Sequence, residues 1–145
     1  MLIVLDTNII FQALYSSSGA SHIILNEIIN GNIDIAISVP VFLEYETVLK
    51  RQENLDKFEL GISDINDILS AIAYLSRKFG IFFDMVPNLK DETDNKFLNL
   101  CFRSSADYLI SSNIKDFKFN TDLIFPSIEI ITPSQFIKIW RKQNG

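Results

Sequence analysis

The sequence predicts an α/β fold built on a mostly parallel sheet with both faces covered. Strand-sized apolar runs alternate with stretches of helical apolar spacing along the whole chain, the pattern of repeated strand–helix–strand units. The strands are apolar on both sides, as expected where helices pack above and below a parallel sheet. No repeat, low-complexity tract or Pro/Gly/Ser-rich linker divides the 145 residues, so residues 1–145 are expected to form one domain.

The elements follow in order. Leu2–Leu5 is a fully apolar run ending at Asp6 and reads as a buried strand. From Ser21 to Asn30, apolar Ile24, Leu25, Ile28 and Ile29 recur at helical spacing, and Gly31 supplies a C-terminal stop. Ile33–Ser38 is a second strand, and Pro40 suits the first turn of a helix reaching about Arg51. A long helix begins at Ser63 with Ile65, Ile68, Leu69, Ile72, Ala73 and Leu75 on its apolar face, closed by Gly80. Ile81–Val86 is expected as the third strand. Asp91 and Asp94 then open a helix through Phe97, Leu98, Cys101 and Phe102. Asp107–Ser111 and Ile128–Ile131 complete the strands, and Pro133 starts a last helix to about Lys142.

Composition removes several kinds of chemistry. One cysteine, Cys101, forbids an intramolecular disulfide and a cysteine-based zinc site. One histidine, His22, leaves no room for multi-histidine metal sites and argues against Ser-His-Asp or Cys-His catalysis. Carboxylates, hydroxyls, lysines or an oxygen-bound metal must therefore do any catalytic work. A net charge of −5 lacks the basic footprint of a general nucleic-acid coat. No apolar run approaches membrane-spanning length and no basic leader precedes a hydrophobic segment, so a cytoplasmic, non-membrane protein is expected. A mean hydropathy of +0.19 is oily for such a chain and suggests apolar surface covered in a homodimer or by a partner.

The acids fall at particular places. Asp6 ends the first strand, Glu44 lies one turn into the helix after the second, Asp91 and Asp94 open the helix after the third, and Asn113 and Asp116 follow the fourth. In open parallel sheets the ligand crevice lies outside the carboxyl ends of the strands, near the point where strand order reverses. Carboxylates gathered there repel unless they take up protons or share a cation. A hard divalent ion such as Mg²⁺ resolves the repulsion, keeps several waters, and can act on a phosphodiester. Hydrolysis of a nucleic-acid backbone is the chemistry this pattern suggests.

The segments LDTNIIFQAL (5–14), SVPVFLEYETVL (38–49), DETDNKFLNLC (91–101), ADYLISSNIKDF (106–117) and IITPSQFI (130–137) resemble the PIN-domain family, in particular the VapC-like toxins of bacterial toxin–antitoxin pairs. The resemblance spans nearly the whole chain. It implies a three-layer α/β/α fold with a five-stranded parallel sheet in the order 3-2-1-4-5. It also implies a Mg²⁺- or Mn²⁺-dependent endoribonuclease and a cognate antitoxin as partner. The family's acidic positions fall on Asp6, Glu44, Asp94 and Asp116 as catalytic residues, with Asp6, Asp94, Asp116 and Asp91 toward the metal and Asn8, Ser111 and Asn113 in support. The chain departs from the pattern at Glu92, where many members have Pro, and at Ser111 and Asn113, where several carry Thr and Asp.

Each assignment has a plainer competitor. Asp6 could simply cap the following helix, and Asp91 could do the same for its own. Helical periodicity does not separate Glu44 from Glu46, which flank the apolar stripe Val41, Tyr45, Val48 on opposite sides; only the family motif selects Glu44. Asp116 could be a solvated loop acid. Thr7 and Asn8 are expected to hold their loop by hydrogen bonds, and Asn8 is a candidate to orient Asp6. Cys101 reads as core and His22 as helix-end packing. A phosphatase of the haloacid-dehalogenase type would need a carboxylate two residues after its nucleophilic Asp, and Asn8 stands there. A catalytically weak or inactive PIN-like RNA-binding or interaction module is the other alternative.

Overall fold

In the computed structural model the described residues are 1–80, 92–115, 117 and 128–144, with side chains described from Lys96 onward in the helix that begins at 92. The first strand, β1 (Leu2–Leu5), is the centre of the sheet. Ile3, Val4 and Leu5 are all at most 1% exposed, because helices cover both faces and leave no polar side to the strand. Burying side chains of this kind contributes roughly 1.5–3 kcal/mol each.

Helices α1 (Thr7–Tyr15) and α2 (Ala20–Ile29) follow and pack on each other. The His22 ring nitrogen Nδ1 lies 2.9 Å from the Ala13 carbonyl oxygen, tying the start of α2 to α1. At the end of α2, Gly31 takes φ +81°, and its N–H donates to the Ile28 carbonyl at 3.0 Å. A side chain is disfavoured in that left-handed conformation, so the expected stop is there for the expected reason.

β2 (Asp34–Ile37) leads into α3 (Val39–Leu49). Ser38 caps α3 by accepting from the Val41 N–H at 3.4 Å, and Pro40 occupies the first turn, where no N–H is missed. The helix stops earlier than expected, and a short α4 (Gln52–Phe58) takes over. Asn54 fixes that junction by donating to the Val48 carbonyl at 2.7 Å.

α5 (Ile62–Leu75) starts at Gly61, whose N–H donates to Asp64 Oδ2 at 2.9 Å. Its end and the next strand differ from the sequence expectation. The helix closes at Leu75 rather than Gly80, and the third described strand, β3, is Arg77–Lys78. Residues 81–86 lie outside the described residues. β3 is an edge strand with exposed polar side chains, so hydrophobic patterning could not reveal it. Backbone pairing to β2 and an Arg77–Asp34 ion pair at 3.0 Å hold it, and the Phe79 N–H continues the ladder to the Ile37 carbonyl at 2.9 Å.

α6 (Glu92–Ser104) packs on β1, β2 and β4. β4 (Tyr108–Ile110), β5 (Ile130–Ile131) and α7 (Pro133–Asn144) complete the described elements. The sheet has five parallel strands in the order β3-β2-β1-β4-β5, as the resemblance implied. Register places Ile3 beside Ile35 on one side and beside Tyr108 on the other. The chain builds outward from β1 through β2 and β3, then returns to place β4 on the opposite side. The order therefore reverses between β1 and β4, and their carboxyl ends are where a crevice is expected.

Under this edge, Phe97 of α6 meets Phe117 edge-on with ring centroids 6.4 Å apart, and both are buried. Cys101 is buried beside them in the core, and burial pushes its thiol far above the usual cysteine range. The thiolate is the reactive form. Cys101 should therefore resist a thiol-specific reagent in the native protein and react stoichiometrically once urea unfolds the chain. Rapid native labelling, followed by absorbance, would contradict this packing.

Candidate functional site

Asp6 follows the last residue of β1 and occupies the N-cap position of α1. Its backbone completes the sheet, the N–H donating to the Ile110 carbonyl of β4 at 3.0 Å. The side chain makes no capping hydrogen bond to α1. Instead its Oδ2 accepts from the Ser111 hydroxyl at 2.7 Å across the β1–β4 switch point. Simple capping therefore does not account for this aspartate. At 8% exposure its carboxylate is nearly withdrawn from water, at the positive end of a helix.

Ser111 is wholly buried, and two bonds set its orientation. Its hydroxyl donates to Asp6 and accepts from the Asn113 N–H at 2.9 Å. The Asn113 side chain is exposed, so its described contribution is through its backbone. One turn farther along α1, Gln12 donates from Nε2 to Ser112 Oγ at 3.2 Å and accepts from Ser21 Oγ at 3.0 Å, tying α1 to the β4 loop and to α2.

Glu44 reaches the same edge from α3. The Thr7 hydroxyl donates to Glu44 Oε2, and Lys96 Nζ of α6 lies 3.1 Å from Glu44 Oε1. The carboxylate is thus held at both oxygens, with only 17% of its side chain exposed. Glu46 points elsewhere, pairing at 3.0 Å with Lys50 one turn along the helix. Of the two glutamates that periodicity could not separate, Glu44 is the one turned toward Asp6's neighbour Thr7.

The residue between them, Tyr45, joins the two halves. It is fully buried and donates its phenolic hydrogen to the Leu5 carbonyl at 2.6 Å. Burial first, then the charges of Asp6 and Glu44, and least the Cys101 sulfur, hold its pKa well above the usual tyrosine range. The phenol stays protonated and remains a donor. That both carboxylates act on one phenol places them on the same small region of the sheet edge.

The other expected positions divide as follows. Asp94 falls within α6, with its side chain outside the described residues; Asp91 and Asp116 lie outside them entirely. Asn8 is on the first turn of α1, and its Oδ1 is buried with no hydrogen-bond partner among the described residues. An oxygen so placed ordinarily meets a water, a cation or a donor. Among the described residues no three His, Cys, Asp or Glu side chains form a metal-binding group. The described donors near Asp6 are nevertheless hard oxygens, and Mg²⁺ usually takes only about one or two carboxylates directly, so the donor chemistry fits such an ion.

Sequence reasoning missed Lys96 and the bridging role of Tyr45. Lys96 stands inside a motif that was read for its acids, and only the packing of α6 against α3 brings it to Glu44. Tyr45 was visible merely as part of an apolar stripe.

The model of the PIN domain matches residues 2–115, well over half of the chain. The chain belongs to the PIN-domain family. Among solved structures, this PIN domain is similar to a chain in the crystal structure of VapBC2 from Rickettsia felis bound to a DNA fragment from their promoter. The TM-score is 0.59 at 16% identity, over 91% of this chain and 98% of that one, a likeness of fold. No curated protein matches the sequence.

Proposed function

We propose that this PIN domain is a Mg²⁺-dependent endoribonuclease, with Mn²⁺ as a possible substitute, acting as the toxin of a toxin–antitoxin pair. The observation that carries the reading is Asp6: a buried carboxylate at the strand switch point, held by Ser111 and not used to cap its helix. Family membership supports it independently. Asp6, Asp94 and Asp116 would hold the ion, with Asp91 nearby, and the ion when bound supplies positive charge to the phosphodiester and an acidified water.

The chain's own groups do the positioning. Ser111 fixes the rotamer of Asp6 through its hydroxyl, and the Asn113 N–H fixes Ser111 in turn. Thr7 and Lys96 hold Glu44, so its carboxylate stays at the sheet edge rather than swinging into solvent. Tyr45 anchors the end of β1 immediately before Asp6. Asn8 Oδ1, which has no hydrogen-bond partner among the described residues, would accept from a bound water or from the ion's hydration shell.

A cognate antitoxin is the proposed partner, by likeness to the VapBC2 assembly. A cationic side chain from it would neutralise the carboxylates through charge-assisted hydrogen bonds. A homodimer is proposed through the apolar surface at the start of α3 and on α5, where Val39, Ile62 and Tyr74 are all more than half exposed. A cytoplasmic site of action is proposed; no helix among the described residues is long and apolar enough to cross a membrane.

The toxin reading is tested by overexpressing wild type and Asp94→Asn in parallel and following growth. Wild type should arrest growth, the variant should not, and co-expression of the protein encoded beside it should relieve the arrest. Equal inhibition by both forms would separate any toxicity from this site and end the toxin assignment.

A further inference from the structure

A cavity of about 590 Å³ opens beside Glu44, and its lining does not match a site made only for a metal. Besides Glu44 it includes apolar Pro40, Leu43 and Val48 together with two cations, Lys96 and Arg51. Lys96 is compensated by Glu44 at 3.1 Å. Arg51 is exposed, caps the start of α4 with its backbone, and has no ion-pair partner among the described residues. The described lining therefore carries a net positive charge in a protein whose overall charge is −5.

The donors point to the ligand class. An ammonium has three N–H donors, and the Glu44 oxygen occupies one, leaving two for another acceptor. A guanidinium presents a planar fork suited to phosphate. Apolar side chains in the same lining suit the face of a base, and Leu43 is 52% exposed and open to one. Phosphate-binding cations beside apolar contact surface make up the footprint of single-stranded nucleic acid.

We infer that this cavity is a subsite for a nucleotide adjoining the one that is cut. Lys96 and Arg51 hold a phosphodiester neighbouring the scissile one, and Pro40, Leu43 and Val48 receive the base. The inference rests on the nuclease reading above, because Glu44 belongs both to this lining and to the carboxylate edge. That continuity favours RNA over an acidic peptide, which would have no reason to approach a candidate catalytic carboxylate.

The experiment is binding of a labelled single-stranded oligoribonucleotide by fluorescence anisotropy, with chelator present so that nothing is cut. Lys96→Met and Arg51→Gln should each raise Kd about tenfold and lower the log–log salt slope by about 0.7, the value for one phosphate contact on a single strand. Lys96→Arg should recover most of the affinity, and Lys138→Gln, an exposed charge on α7 outside the cavity, should change neither quantity. Unchanged Kd and salt slope in both cavity variants would overturn the subsite, even if the wild type cleaves RNA. So would a loss of kcat in Lys96→Met with Kd intact, which would confine Lys96 to holding Glu44. An oligoglutamate peptide that competes as well as RNA, and loses as much in both variants, would overturn RNA as the occupant. A wild type that binds as expected, with both cavity variants weakened, but cleaves no RNA with Mg²⁺ would leave the cavity as a nucleotide-binding site and remove the nuclease reading, and with it the neighbouring scissile bond. Should Lys96→Met fail to fold by circular dichroism, the exposed Arg51→Gln decides.

Discussion

Replacing Asp6 with Asn is expected to lower Mg²⁺-dependent cleavage of a mixed RNA pool by about 10²-fold or more, since loss of even an outer partner of a metal ligand costs about 10–100-fold. The substitution keeps the shape of the side chain and can still accept from Ser111 at the position of Oδ2. What it removes is the negative charge, and with it a ligand for a hard cation. Stability should not fall. Asp6 is a buried anion near Glu44, and both carboxylates act on the buried Tyr45 phenol, so a neutral amide relieves desolvation and repulsion in the metal-free protein. Thermal melts in chelator should give Asp6→Asn a midpoint no lower than wild type. Ser111→Ala provides a graded comparison. It leaves the carboxylate but not its hydroxyl donor, and loss of such an orienting partner costs about 10–100-fold. Gel assays with Mg²⁺ and with chelator test all three proteins together. Undiminished cleavage by Asp6→Asn would end the metal-nuclease proposal.

Much of this arrangement was legible in the sequence, for identifiable physical reasons. β1 is apolar at every position because it is buried on both faces, and its abrupt end at Asp6 marks the sheet edge without any structural knowledge. β4 is marked in the same way, and its end fixes Ser111. Parallel pairing then brings the two ends together, since Leu5 lies in register with Ile110. Chain segments about a hundred residues apart thus become neighbours through a rule about sheets.

The parts that could not be read depend on backbone pairing or on side-chain reach. β3 carries Arg77 and Lys78, which no hydrophobic pattern would assign to a strand; its place follows from unpaired backbone groups on β2. The break between α3 and α4 rests on an Asn54 side chain bonding a backbone carbonyl, a contact without periodicity. Lys96 was hidden by its length. A lysine on one helix can serve a carboxylate on another only if the two helices pack, and the local sequence contains no measure of that.

The choice between Glu44 and Glu46 shows the same limit and gives the second large effect. Glu44→Gln should reduce RNA cleavage by about 10²-fold or more, whereas Glu46→Gln should stay within about twofold of wild type. The two differ by only two positions on α3, so composition, helix propensity and the local dipole are nearly the same for both. Their surroundings differ. Glu44 has Thr7 on one oxygen and Lys96 on the other, beside Tyr45 and the end of β1. Glu46 is itself 41% exposed and pairs with Lys50 in a single-turn ion pair of the kind that contributes little to stability. The glutamine at position 44 can still accept from Thr7, but it no longer balances the Lys96 ammonium, which then loses its described counter-charge. A Lys96 released in this way is free to pair with another carboxylate of the site and so to compete with a bound metal ion. The Mg²⁺ concentration for half-maximal residual activity should therefore rise in Glu44→Gln and not in Glu46→Gln. Cleavage rates measured across a Mg²⁺ series for both variants decide the matter. If Glu46→Gln proved the damaging substitution, the face of α3 assigned to the site would be wrong, and the pairing of Glu44 with Thr7 and Lys96 would be a structural contact alone.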